Sequence, residues 1–167
     1  MRQNIYLIGF MGSGKSTVGP LLSVQINLPF YDLDELIEKQ EEITISEIFE
    51  SKGESFFRKL ESKILVQSFR LTPCVMALGG GAFSSNCNRK SLMKQGITIW
   101  LKAPYNLIEE RCRMATHRPL AKNTKKLETL FRLREAYYRL ADIHVNIQGK
   151  SPEQICAEIQ DKLDTRF

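Results

Sequence analysis

The stretch NIYLIGFMGSGKST, residues 4–17, decides the fold. A short apolar run, NIYLI (4–8), enters a glycine-rich turn, and a helical pattern, STVGPLLSVQ (16–25), leaves it. Gly9 to Ser16 satisfy G-x-x-x-x-G-K-[ST] in full, in the strand–turn–helix setting that gives the pattern its meaning. Glycines here let backbone N–H groups converge on phosphate oxygens, and the helix N-terminus adds positive potential. The loop reads as a nucleotide-phosphate cradle built from Gly12, Ser13, Gly14, Lys15, Ser16 and Thr17. Lys15 is placed to reach the β and γ phosphates, and Ser16 to turn its hydroxyl to Mg²⁺.

Outward from this loop, short apolar runs alternate with longer helical patterns. LPFY (28–31), CVMAL (74–78), ITIWL (97–101) and IHVNI (143–147) read as further strands, several of them nearly continuous in apolar residues, as buried parallel strands are. TISE (44–47) resembles a capping box, and Gly53 is suited to end the helix it opens. SPEQ (151–154) is a second such start, with Pro152 at the first helical position and Ile155, Ile159 and Leu163 on one face. This alternation predicts an α/β fold with a mainly parallel sheet, whose ligands bind beyond the carboxyl ends of the strands. Pro20 falls inside the helix after the loop, where proline costs about 3 kcal/mol, so a kink or local adjustment is expected there.

The loop alone does not name a reaction. D-x-x-G and N-K-x-D, which a GTPase requires, are absent, and the run CVMAL leads into glycines rather than a Walker B aspartate. Together these absences point toward a small-molecule kinase. The bulk properties agree: 167 residues, 43% hydrophobic and 26% charged, suit one soluble domain. The net charge of +5 comes from dispersed basic residues without a run of five, a pattern that fits a small anionic ligand better than nucleic acid. The four cysteines form no Cys-x-x-Cys pair and are expected reduced, in or near the core. No apolar run approaches membrane-spanning length, and MRQNIYLIGF lacks the form of a signal peptide, so a cytoplasmic location is expected.

Four further segments carry polar chemistry. In YDLDE, Asp32 and Asp34 stand two apart at a strand end, which puts both carboxylates on one face; equally, they are acidic residues at a helix start. In FFRKLE (56–61), Arg58 and Glu61 are three apart on a helix, either as a surface pair or with Glu61 holding Arg58 for a bidentate carboxylate contact. ERCRMATHRPLA (110–121) gathers Arg113, His117 and Arg118 before Pro119, as a phosphate-closing lid or a solvated loop. LREAYYRLAD sets Arg134 and Tyr138 at helical spacing. ALGGGAF (77–83) places three glycines directly behind a strand, which calls for bare backbone against a close neighbour.

In this order and over nearly the whole chain, GFMGSGKSTVG, DLD, FFRKLE, LGGGAF, RPL and REAYYR resemble the shikimate kinases. The resemblance implies a three-layer, nucleoside-monophosphate-kinase-like P-loop fold. Its five-stranded parallel sheet has the order 2-3-1-4-5, with helices on both faces. It implies a single domain over 1–167, with an acceptor-binding subregion at about 33–61 and a lid at about 112–123. The activity implied is ATP-dependent phosphorylation of the shikimate 3-hydroxyl, giving shikimate 3-phosphate and ADP on the way to chorismate and aromatic amino acids. Lys15, Asp34 and Arg118 take the catalytic positions. Arg111 and Gln148 flank the adenine, and Arg118 reaches the phosphates. Arg58 and Arg134 clamp the shikimate carboxylate, with Arg132 the alternative to Arg134. Asp34 holds the shikimate hydroxyls, Gly79, Gly80 and Gly81 face the substrate, and Asp32 meets Mg²⁺ through water beside Ser16. The partners implied are ATP and shikimate, with no nucleic acid and no membrane, and the protein is expected to be a monomer. Two departures stand out: Pro20 occupies a position that is often basic, and one residue is missing between Arg139 and Ala141–Asp142.

Overall fold

A computed structural model describes residues 3–114 and 124–166. Five parallel strands form one sheet in the order β2-β3-β1-β4-β5, as the resemblance implies. Strand β1 (Asn4–Ile8) is central and buried along its whole length, because every residue faces a helix layer on one side or the other. It pairs with β3 (Val75–Ala77) through Ile5↔Val75 and with β4 (Gly96–Lys102) through Ile5↔Ile97. The edges are β2 (Phe30–Asp32) and β5 (Ile143–Asn146).

Helix α1 (Lys15–Gln25) packs against this sheet and α7 (Pro152–Asp164), burying Val18 and Leu22 on one side and Ile155, Ile159 and Leu163 on the other. Gly19 permits its close approach to β2, since a Cβ there would collide with the Phe30 ring. The helix stays in one piece across Pro20; the hydrogen bond forgone is the one to the Ser16 carbonyl, and the Ser23 hydroxyl donates to the Pro20 carbonyl at 2.7 Å. Helix α2 (Leu33–Glu41) follows β2 without a gap. Helix α3 (Ile45–Ser68) opens with the Thr44–Glu47 capping box and is divided at Gly53, which sits at φ 77°. A short 3₁₀ turn (Ala82–Ser84) leads to α4 (Asn86–Gln95). Helices α5 (Tyr105–Met114) and α6 (Thr124–Tyr138) complete the cover, and α7 starts with the Ser151–Gln154 capping box.

Strand β1 has the expected bounds, but β2 lies further along the chain than LPFY. Leu28 is committed elsewhere, its N–H donating to the Ser23 carbonyl at 2.9 Å where α1 ends. Pairing therefore begins at the Pro29 carbonyl, which accepts from Val75 N–H at 2.9 Å, and Asp32 becomes the last strand residue. Three of the cysteines are buried as expected; Cys87, on α4, is exposed. The carboxyl ends of β1, β2 and β3 bring Gly9, Asp32 and Leu78 to the same edge of the sheet, and the sequence motifs gather there.

Candidate active site

A cavity of about 290 Å³ opens at that edge. Its nucleotide side is the loop between β1 and α1, with Gly12, Gly14, Lys15, Ser16 and Thr17 among its walls. Gly12 and Gly14 take φ values of 79° and 90°, which side-chain-bearing residues rarely adopt, and this turns the loop into a concave backbone surface. At the start of α1 the Thr17 and Val18 N–H groups donate to the Gly14 carbonyl at 3.0 and 2.8 Å, and a helix N-terminus at this place favours an anion. Ser13 lies buried beneath the loop, its hydroxyl 2.7 Å from where a Gly9 Cβ would stand, so Gly9 has to be bare. Lys15 folds back over the loop, Nζ donating to the carbonyls of Gly9 at 2.8 Å and Phe10 at 3.1 Å.

The acidic side is made by the junction of β2 and α2. Asp32 caps α2, its Oδ1 accepting the Asp34 N–H at 2.9 Å. Spacing along a strand therefore does not bring the two carboxylates together. Asp34 belongs to the first helical turn, and the cap itself draws the pair to one wall of the cavity. Burial raises the pKa of Asp32. For Asp34, burial and then the neighbouring Asp32 and Glu61 charges push it up to about 6, with Lys15 opposing. Both readings of the sequence thus hold at once for Asp32: it is a helix cap and a cavity wall.

The three glycines answer their question in sequence order. A Cβ on Gly79 would lie 2.7 Å from Asp34 Oδ1 and 3.2 Å from Glu61 Oε1; on Gly80, 3.0 Å from an Arg134 guanidinium nitrogen; on Gly81, between 2.5 and 2.8 Å from three atoms of the Arg58 guanidinium. None of the three has positive φ, so closeness and not conformation demands glycine. The sequence reading puts the run against the acceptor. The structure puts it first against the protein's own charged side chains, which converge around it from α2, α3 and α6.

Each of those side chains is held. Arg58 donates to Glu61 Oε2 at 2.9 Å and stacks over Phe57 at 5.1 Å. Glu61 is 1% exposed, its Oε1 without a hydrogen-bond partner among the described residues, and burial raises its pKa. Arg134 lies over the Phe10 ring at 5.6 Å, and Phe10 comes from the nucleotide loop itself. Arg132, by contrast, pairs with Glu128 at 2.7 Å on the exposed face of α6, away from the glycines. Arg111 reaches the nucleotide side, donating to the Gly12 carbonyl at 2.8 Å. Gln148 is exposed in the loop after β5, its N–H on Asn146 Oδ1 at 3.1 Å, and does not line the cavity. His117, Arg118 and most of the expected lid lie outside the described residues. The sequence reading assigned no role to Tyr138 or Phe10; only helical spacing from Arg134 pointed to the first, and nothing local pointed to the second.

Comparison with known proteins narrows the chemistry. A family model described as shikimate kinase matches residues 11–164. A shikimate kinase of Sulfurihydrogenibium sp. is 44% identical over 166 residues, covering 98% of this chain and 99% of that protein. The crystal structure of shikimate kinase from Aquifex aeolicus superposes with a TM-score of 0.89 at 41% identity, over 98% of this chain and 97% of that one. The Acinetobacter baumannii shikimate kinase in complex with shikimate gives 0.92 at 33% identity, over 98% and 94%.

Proposed function

The chain belongs to the shikimate kinase family, and we propose how its residues divide the family's reaction between them. The reaction is ATP-dependent phosphorylation of shikimate in the pathway to aromatic amino acids, at the 3-hydroxyl, with ADP as the second product. Phosphoryl transfer depends on in-line alignment and on cancelling charge at the phosphoryl oxygens. The α1 N-terminus and Gly12, Ser13, Gly14, Lys15, Ser16 and Thr17 hold the phosphates. Arg111 and Gln148 flank the adenine, and Arg118 closes from the lid at about 112–123. Arg58 and Arg134 fork onto the planar shikimate carboxylate, which anchors the far end of the ring. Asp34 then fixes the hydroxyl and accepts its proton, while Gly79, Gly80 and Gly81 leave room for the ring. Remote binding energy at the carboxylate is in this way spent on alignment at the hydroxyl.

The donor set suits Mg²⁺, which keeps most of its water and takes one or two carboxylates plus substrate phosphates. Ser16 offers a hydroxyl and Asp32 a carboxylate on the same cavity, Asp32 through water. When bound, the ion neutralises charge on the β and γ phosphates. The protein works as a cytoplasmic monomer, a single domain whose acceptor subregion spans about 33–61. Among the described residues no helix is long and apolar enough to cross a membrane.

The observation that carries this division of roles is the convergence of Asp34, Arg58 and Arg134 on three consecutive glycines beside the phosphate loop. A coupled ADP-release assay with shikimate, gluconate and nucleoside monophosphates as acceptors tests it. Turnover is expected with shikimate alone. Equal turnover with an acceptor that lacks a carboxylate overturns the clamp, and ADP release independent of any acceptor overturns the kinase reading.

A further inference from the structure

Tyr138 is buried on α6, one helical turn beyond Arg134, and the mechanism above does not use it. Its phenol donates a hydrogen bond to the Gly80 carbonyl, and the Arg134 guanidinium lies on the same side of that glycine. Both α6 side chains therefore flank Gly80: a Cβ there would lie 3.0 Å from the Arg134 nitrogen and 3.5 Å from the Tyr138 oxygen. In a trans peptide the N–H points opposite to the carbonyl. Drawing the Gly80 carbonyl to Tyr138 accordingly turns the Gly81 N–H away from α6. That N–H donates to no group among the described residues, although Ala82 and Ser84 N–H groups nearby are bonded to the Gly79 and Gly81 carbonyls. An unpaired main-chain donor beside two guanidinium groups is a place for a ligand oxygen.

We infer that Tyr138 is a positioning residue for the acceptor carboxylate: its phenol orients the Gly80–Gly81 peptide and the Arg134 guanidinium together. This rests on the proposed shikimate site. Burial, the largest influence on the phenol, raises its pKa, so it remains a donor across the working pH range. Removing the hydroxyl frees the peptide to rotate and Arg134 to swing, both on the acceptor side only.

The test is Tyr138→Phe, which keeps the ring. The KM for shikimate is expected to rise about tenfold, in line with the loss of one hydrogen bond that fixes the site, while the KM for ATP and the melting temperature stay close to wild type. In an Arg134→Lys background the same change is expected to raise the KM by less than about twofold, because the two act through one contact. A shikimate KM unchanged in folded Tyr138→Phe overturns the inference and leaves the function standing. A wild-type protein that does not turn over shikimate overturns both. If Tyr138→Phe does not fold, Tyr138→Met is measured in its place; failure of both to fold assigns Tyr138 to the core alone and overturns the positioning role.

Discussion

The phosphate loop and the proposed acceptor site meet at one cavity, which Asp34, Gly79 and Gly80 line with the loop, but they are built in opposite ways. The loop comes from consecutive residues, Gly9 to Thr17, and works through backbone: positive φ at Gly12 and Gly14, a helix start, and one lysine folded onto its own turn. The proposed acceptor site comes from α2, α3, the segment after β3, and α6, and consists of side chains crowded onto bare backbone. A contiguous site is specified by local conformation and tolerates change around it. An assembled site depends on every element arriving at its place, and its glycines are needed because charged groups meet there.

The largest effect is expected at the contiguous side. Lys15→Ala removes the one side-chain charge that the loop contributes, and kcat is expected to fall by about 10³-fold with the fold intact, as read by steady-state rates and circular dichroism. A loss below tenfold would show that backbone alone supplies the phosphate site.

Asp34→Asn comes next, with kcat down about 10²-fold and ATP binding kept. Here the sign of the pH effect sharpens the contrast. The folded pKa near 6 lies above the ordinary carboxylate value of 3.8, so the native state binds this proton more tightly than the unfolded chain does. Its contribution to stability is full below about pH 4 and is lost as pH rises through 6. At pH 8 Asp34→Asn is therefore expected to melt about 6–12 °C higher than wild type, and at pH 3.5 at the same temperature. A lower melting point at pH 8 would mean that Lys15 and its surroundings more than offset the burial of the charge.

Gly81→Ala should raise the shikimate KM about tenfold with a small change in kcat, because the new methyl displaces Arg58 and no part of the nucleotide loop. A rise in the ATP KM as well would erase the distinction between the two sides. The smallest effect is expected for Arg132→Ala. Its exposed pair with Glu128 contributes little, so both KM values should change by less than about twofold. A large change in the shikimate KM would reassign the clamp from Arg134 and undo the helical register described above.

The same division explains what could be read in advance. NIYLI and GFMGSGKS were legible because a buried central strand is apolar throughout and a phosphate loop has a fixed spacing of glycines. The Thr44 and Ser151 capping boxes were legible for the same local reason. Asp32 and Asp34 were legible as a pair, either on a strand face or at a helix start; the helix start is the arrangement found, and the sequence could not choose because it does not mark where pairing with β3 stops. The missing residue after Arg139 left the register of α6 open between Arg132 and Arg134, and the fold places Arg134, not Arg132, beside Gly80. Helical spacing from Arg134 marked Tyr138 but not its contact with the Gly80 carbonyl, and nothing local marked Phe10 beneath Arg134, since each contact depends on α6 crossing elements far away in the chain.

By itself, then, the sequence determined the α/β class, the nucleotide loop and its lysine, and the helix starts, all of which follow from local sterics and hydrogen bonding, and the glycine run marked that something approaches the backbone at Gly79 to Gly81. Tertiary structure alone decided what presses on that backbone. Three helices from separate parts of the chain deliver Asp34, Arg58 and Arg134 to three successive glycines, and only the packing of the sheet sets those distances.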